Sequence, residues 1–466
     1  MNTNDLTRVL RPYGFLAPAL SDCPVRFGND PAAFDGLPIH TRAEPGGALY
    51  YPARRQLFRA PGPIYHALLP HITFEGAHIA PVWVNKAGRA LIVWLHLPGG
   101  GAPILLVGLD VVEEIVRYRQ GDPAQVERTQ DKARFGFDYI ERPNYLFDAH
   151  ILPDHATQPW ADHLGYHLAE ALARLMGHPL AAPLPGGARG ALAFTGDDDM
   201  AYLEKYDEQL RATDDLPITY FLHPQTRHSS ATLAALPARV VLGLHPDALD
   251  RPDAYDAICA AQSTQINRLA GRALRLVRNH GYLNRGYLGH LSAWERCGLT
   301  LDVNIPGVDG TALNGSFLPM RTRRPDGSWS DHYSLLTLFG DGMIYALAMT
   351  PRQASGRIRR LARQIERARP GVMVLNFHPQ NVGDAYPLHR AAVRVARRRG
   401  WVALDLERYL AWIETLAGLR LEDAGGALHL GAPGRVVGLV LRWPVRGGWR
   451  RQALDAWEGA RRLVRP

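Results

Sequence analysis

After residue 186 the chain keeps switching between two patterns: short unbroken apolar runs, and stretches in which apolar residues return every three or four positions. The first pattern predicts buried strands and the second amphipathic helices. Strands are predicted at 191–195, 218–222, 240–244, 274–278, 300–304 and 372–377, and helices at 201–211, 254–270, 289–297, 354–369 and 388–399. Alternation of this kind implies an α/β fold with a parallel sheet wound by helices, able to close into a barrel.

Before residue 186 the same patterns predict strands at 90–97 and 103–109 and helices at 111–119 and 160–176, behind Pro/Gly-rich stretches at 45–47 and 61–63. Residues 1–185 are therefore expected to form a smaller α/β domain. A Pro/Gly cluster at 183–190 reads as a linker, and residues 186–415 as the larger domain. Short strand-like runs at 418–422, 427–430 and 436–443 make 416–466 a small β-rich appendage.

Composition narrows the function classes. An apolar content of 46% and a charged content of 21% over 466 residues are ordinary for a globular protein with two or three cores. Three widely spaced cysteines, Cys23, Cys259 and Cys297, lack the pairing of a disulfide framework or a thiolate zinc site. No secretory pattern opens the sequence and no apolar run is long enough to span a bilayer, so a cytoplasmic location is expected. The net charge of +8 is largely arginine, concentrated at 352–399 and after 435. Its helical spacing suggests a solvated face, with anionic-polymer binding the sharper reading. Nucleic acid is not expected, because no aromatic residues interleave the basic ones.

The chemistry lies where apolar runs stop on polar residues. Asp197, Asp198 and Asp199 follow the first strand of the larger domain, and three adjacent carboxylates repel unless a cation offsets them. The strand at 240–244 stops at His245, that at 274–278 at Arg278 and His280, and that at 372–377 at His378, while Asp302 and Asn304 lie on the strand at 300–304. In βα folds the carboxyl ends of parallel strands share one rim. Carboxylates, imidazoles and an arginine on such a rim make the composition of a hydrolytic metal site.

These residues resemble the motifs of the polysaccharide deacetylase superfamily, carbohydrate esterase family four, over about 186–410. Thr195-Gly-Asp-Asp-Asp199 is similar to the family's opening motif Thr-Phe-Asp-Asp-Gly, Gly243-Leu-His245 to the start of its second, and Arg278 to the arginine of its third. Asp302-Val-Asn304 is similar to its fourth motif, and Leu375-Asn-Phe-His378 to its last. The resemblance implies a NodB-like distorted (β/α) barrel and hydrolysis of N- or O-acetyl groups on a carbohydrate. It makes Asp197 the base, Arg278 its orienting partner, His378 the general acid, and Asp198 and His245 ligands of a divalent metal, zinc foremost. The family's second histidine of motif two is replaced by Leu249, so His280 is expected as the third ligand, ahead of Asp247 and Asp250. Asp199 stands where the family has glycine, which leaves the division of roles among the three aspartates open.

Substrate contacts are expected from Asp199, Asp302, Asn304, Trp329, His332 and Tyr333, the last three within a loop at 314–342. The missing motif-two histidine also admits an inactive carbohydrate-binding or scaffolding protein of the same fold. A glycosidase with paired carboxylates fits the histidines less well. Residues 1–185 faintly resemble amidotransferase-like domains but lack a cysteine in a strand-to-helix elbow, so no such chemistry is expected there.

Overall fold

The computed structural model describes residues 3–16, 159–306, 315–424 and 426–465, residues 103–127 apart from Leu109, and strands at 25–27, 39–44, 48–49, 62–63, 69–74, 78–84, 90–96 and 142–144. Cys23 and the Pro/Gly stretch at 45–47 lie outside the described residues.

Helices α1 (Thr3–Leu10), α2 (Val111–Gln120) and α3 (Trp160–Met176) precede residue 180, beside a four-stranded sheet of Val25–Phe27, Ile104–Val107, Ala90–His96 and His78–Val84 in that order. Their apolar faces meet in one cluster: Leu6, Ile115, Leu164 and Leu172 pack with Leu105 and Val107, and with Leu318 and Met320 from farther along the chain.

The larger sheet has ten strands: β1 (Ala191–Asp197), β2 (Ile218–Leu222), β3 (Val240–Leu244), β4 (Leu276–Val277), β5 (Leu301–Asp302), β6 (Met320–Arg323), β7 (Trp329–Ser334), β8 (Phe339–Gly340), β9 (Val372–Asn376) and β10 (Val402–Ala403). Their order is β6-β7-β5-β4-β3-β2-β1-β9-β8, with β10 beside β1, and every pairing is parallel except β6 with β7. The sheet is curled into an open half-barrel. Both faces of β1 are buried, small side chains (Ala191, Ala193) on one and large ones (Leu192, Phe194) on the other. This is how a strand inside a curved layered core is expected to read.

Helices α4 (Leu203–Ala212), α5 (Tyr255–Ala270), α6 (Leu291–Arg296), α7 (Pro351–Ala368) and α8 (Val382–Arg399) cover the face with Leu192 and Phe194. The sequence ends α7 and α9 (Leu406–Gly418) cleanly: Thr350 and Gln353 form a capping box before α7, and Asp405 accepts the Arg408 N–H at the start of α9. The other face is closed by α9 and by strands after 420, whose Leu428, Leu441 and Trp443 share a core with Ala191, Ala193 and Val374. One sheet of those strands, Val440–Val445 with Gly448–Ala453, takes Leu180–Ala181 as its third member. The Pro/Gly cluster at 183–190 is packed: Leu184 is buried, and a Cβ at Gly190 would lie 2.3 Å from the Trp401 ring. Among the described residues no helix is long and apolar enough to cross a membrane, and Cys259 and Cys297 are free thiols.

Candidate metal centre

The carboxyl ends of β1, β3, β4 and β9 bring Asp197, Asp199, His245, Arg278, His280 and His378 together. Two glycines permit the close approach. A Cβ at Gly196 would sit 2.7 Å from the Phe377 carbonyl oxygen, and one at Gly243 would sit 2.6 Å from the Phe221 ring. That ring in turn lies under the Arg278 guanidinium, 4.6 Å away.

Arg278 is wholly buried and fully engaged. Its Nη1 donates to Asp197 Oδ1 (2.8 Å), and its Nη2 donates to the Thr195 (2.8 Å) and Thr337 (3.1 Å) hydroxyls. The other Asp197 oxygen accepts from Asn376 Nδ2 (2.7 Å), whose second bond runs to the Tyr282 hydroxyl. Burial pushes the Asp197 carboxyl up, but Arg278, His245 and His378 outweigh it and hold the group below the usual carboxylate range. Asp197 is thus an ionised acceptor fixed in one orientation.

Beside it lies a group able to hold a cation: Asp199, His245 and His280. His245 Nδ1 donates to the Arg278 carbonyl oxygen (2.6 Å), and its Nε2 is aimed at Asp199 Oδ1, 3.2 Å away; burial lowers the affinity of this ring for a proton, but Asp197 and Asp199 raise it further. His280 Nε2 is 3.9 Å from the same oxygen. Asp199 Oδ1 is buried and has no hydrogen-bond partner among the described residues. An orphaned carboxylate oxygen facing imidazole nitrogens is an arrangement a divalent ion satisfies, so the residues present fit a metal. His245 and two neighbouring histidines hold Asp199 ionised against burial.

The backbone at Asp199 is left-handed, with φ at 40°, and Met200 follows at 61°. This conformation is natural for the glycine of the resembling motif, and aspartate tolerates it better than most residues. Here the turn swings the third carboxylate, not the second, toward His245. Behind His280, the Asp247 carboxylate spans two imidazoles: Oδ1 is 3.2 Å from His280 Nδ1, and Oδ2 is 3.2 Å from His223 Nε2. His223 Nδ1 accepts the Gln225 N–H, so Nε2 carries the proton that Asp247 receives.

Across the rim, His378 Nδ1 is bonded to Asp341 Oδ1 (2.6 Å), and its Nε2 faces Asp199 Oδ2 (3.4 Å) and Asp197 Oδ2 (3.7 Å). Burial lowers the affinity of this ring for a proton, but Asp341 chiefly, then Asp197 and Asp199, raise its pKa to about 10. His378 is therefore an imidazolium at neutral pH.

The remaining expected site residues lie elsewhere. Asp198 is not among the residues grouped with His245 and His280; it accepts from the Tyr206 hydroxyl and from the His223 backbone N–H (3.3 Å). Asp302 bonds His332 Nε2 (2.9 Å) and the Asn304 N–H. Asn304 accepts the Asn279 N–H (2.8 Å), bracing the loop between Arg278 and His280. Trp329 donates to Asp5 on α1, and the buried Tyr333 accepts from Arg321. The 314–342 stretch includes the β6–β7 hairpin rather than being a loop throughout, and Asp250 is exposed. The sequence reading passed over His223 and Asp341, although each follows an apolar strand directly, the same signal that marked His245 and His378.

Fold and site together define a mixed α/β protein with a rim of carboxylates and imidazoles at its strand ends that could hold a metal ion. Solved structures similar to this chain include polysaccharide deacetylases and carbohydrate esterase family four members, which match about half of it. A Mycobacterium smegmatis protein assigned to the polysaccharide deacetylases has TM-score 0.39 and 19% identity over 50% of this chain and 92% of its own. The chitin deacetylase of the fungal pathogen Colletotrichum lindemuthianum has TM-score 0.32 and 13% identity over 49% and 89%. A family four pseudoenzyme of Bacillus anthracis has TM-score 0.31 and 12% identity over 47% and 65%. No protein-family model matches the sequence, and no curated protein does.

Proposed function

We propose that the chain is a metal-dependent hydrolase that removes an acetyl group from a nitrogen or oxygen of a carbohydrate. The observation that carries the hydrolase reading is the partnerless Asp199 Oδ1 between His245 and His280, next to an Asp197 ionised by Arg278. The carbohydrate and the acetyl group come from the motif resemblance. Asp199, His245 and His280 are the proposed ligands, zinc is the proposed ion, and Asp198 holds the His223 loop.

A divalent ion so held supplies a Lewis acid for the acyl carbonyl and lowers the pKa of water to about 7. Asp197 takes the water proton as attack proceeds, with Arg278 keeping its carboxylate charged and aimed. His378, charged and braced by Asp341, gives a proton from Nε2 to the departing amine or alkoxide. Asp199 and His280 are partly exposed, which leaves the group open to substrate on one side.

The test is elemental analysis of the purified protein together with acetate release from N-acetylglucosamine oligomers. Chelation should abolish release and zinc restore it. Asp199→Ala should lose the ion, whereas Asp197→Asn should keep it and lose about 100- to 10,000-fold in turnover. Equal metal content in wild type and an Asp199→Ala/His245→Ala double variant would sink the reading.

A further inference from the structure

We propose that the cavity between α1 and α9 binds a small phosphate monoester whose body is a ring or another apolar group. The cavity encloses about 330 Å3, near the lower end of the roughly 300 to 1,000 Å3 typical of small-molecule sites. Among the described residues its lining includes four arginines, Arg8, Arg11, Arg321 and Arg420, and no carboxylate.

Arg321 has a partner in Asp331, 3.0 Å away, and lies over the Tyr333 ring. Arg11 and Arg420 are different. Both donate to the same acceptor, the Leu419 carbonyl oxygen, at 3.4 Å and 2.9 Å, and Arg420 adds the Ala417 oxygen at 2.8 Å. These carbonyls close the C-terminus of α9, which offers about half a negative charge. Two guanidiniums exceed that by more than one unit. Burial first, and the Arg420 charge second, push the Arg11 guanidinium down to about 10. The half-buried Arg11 and the exposed Arg420 thus converge on one acceptor beside the cavity with positive charge in excess of it.

The surplus selects the ligand. A carboxylate brings one charge, whereas a phosphate monoester carries about −1.5 to −2 at pH 7 and presents oxygens that suit the guanidinium fork. The lining also includes Tyr409, Ile413, Leu416 and Leu318, buried side chains that carry no charge and suit the body of the ligand. The site owes nothing to the metal rim, and its fate is independent of the deacetylase reading.

Calorimetric titration of the full chain with phenyl phosphate tests this, with inorganic phosphate and benzoate as separate arms. Phenyl phosphate should bind once per chain, with each comparison anion about tenfold weaker or worse, and Arg11→Met and Arg420→Gln should each weaken it about tenfold. Asp197→Asn should leave it unchanged. In phosphate-free buffer Arg420→Gln should unfold at the same temperature as wild type or higher, because it relieves repulsion; should Arg11→Met fail to fold, the exposed Arg420→Gln decides alone. No binding up to about 10 mM, a level weaker than any useful affinity, would overturn the site, as would binding that both variants retain. Benzoate binding as tightly would overturn the dianion, and inorganic phosphate doing so would overturn the apolar body.

Discussion

Two histidine–aspartate pairs belong to strands of the same sheet and their ends, yet their surroundings give them different capacities. In the pair of His332 with Asp302, both imidazole nitrogens are engaged, Nδ1 with the Leu299 carbonyl and Nε2 with Asp302, and the ring stacks on Trp294 with almost no exposure. In the pair of His378 with Asp341, only Nδ1 is engaged; Nε2 faces Asp197 and Asp199 across a rim open enough to leave the side chain 19% exposed. A histidine with no free nitrogen braces a fold, and one with a nitrogen directed at other charged groups can move a proton. Residue type and strand position did not separate the two; bonding of the second nitrogen does.

Replacing each histidine by glutamine breaks the comparison most directly. His378→Gln should cut turnover about 100- to 10,000-fold, the usual contribution of a positioned acid, while leaving metal content unchanged. His332→Gln should leave turnover near wild type and instead cost about 1 to 3 kcal/mol of stability, since a buried Asp302 oxygen loses its donor. Steady-state kinetics and urea unfolding on the same preparations decide it. If both substitutions fall mainly on stability, His378 has no chemical role.

The pH dependence of stability should test the His378 pair next. His378 has its pKa raised to about 10 in the folded chain, against about 6.5 for an unfolded histidine. A raised value means that the contribution is fully present below about 6.5 and is lost as pH climbs toward 10. The melting temperature of chelator-treated protein should therefore fall over that interval, and His378→Gln should flatten the fall. A wild-type curve already flat from pH 7 to 10 would contradict the imidazolium assigned to His378.

The sequence made much of this arrangement legible. Strands 218–222 and 240–244 and helix 160–176 form over the residues their patterns mark, because each buries an apolar face with the period of its own geometry. The hairpin at 320–334 was read as loop for a physical reason: the side chains that β7 buries include Ser330 and His332, so its period-two alternation is not one of apolar with polar. Helix α8 begins six residues before the predicted start and runs through Pro387. At the rim, the run of three aspartates marked the place but not the division of labour. In the proposed division Asp199 rather than Asp198 faces His245, and its backbone there is left-handed, which no pattern of residue types reveals.

The smallest effect expected here concerns a residue one step behind the rim. Asp247 reaches His280 and His223 with separate oxygens, its N–H accepted by Gln262 Oε1 (2.8 Å) and its carbonyl bonded by Gln262 Nε2 (2.9 Å). Its carboxylate stands 3.2 Å behind His280 Nδ1, placed to favour the ring orientation that turns Nε2 toward Asp199. Asp302, by contrast, braces a histidine that reaches no other carboxylate of the rim. Asp247→Asn should therefore weaken zinc binding about 10- to 100-fold in chelator competition, the range found when such supporting groups are removed. Turnover at saturating zinc should fall far less than in His378→Gln, and Asp302→Asn should leave zinc affinity untouched. If Asp247→Asn and His280→Ala both bind zinc as wild type does, His280 is not a ligand, and the ion must be sought between Asp199 and His245 with a different third group.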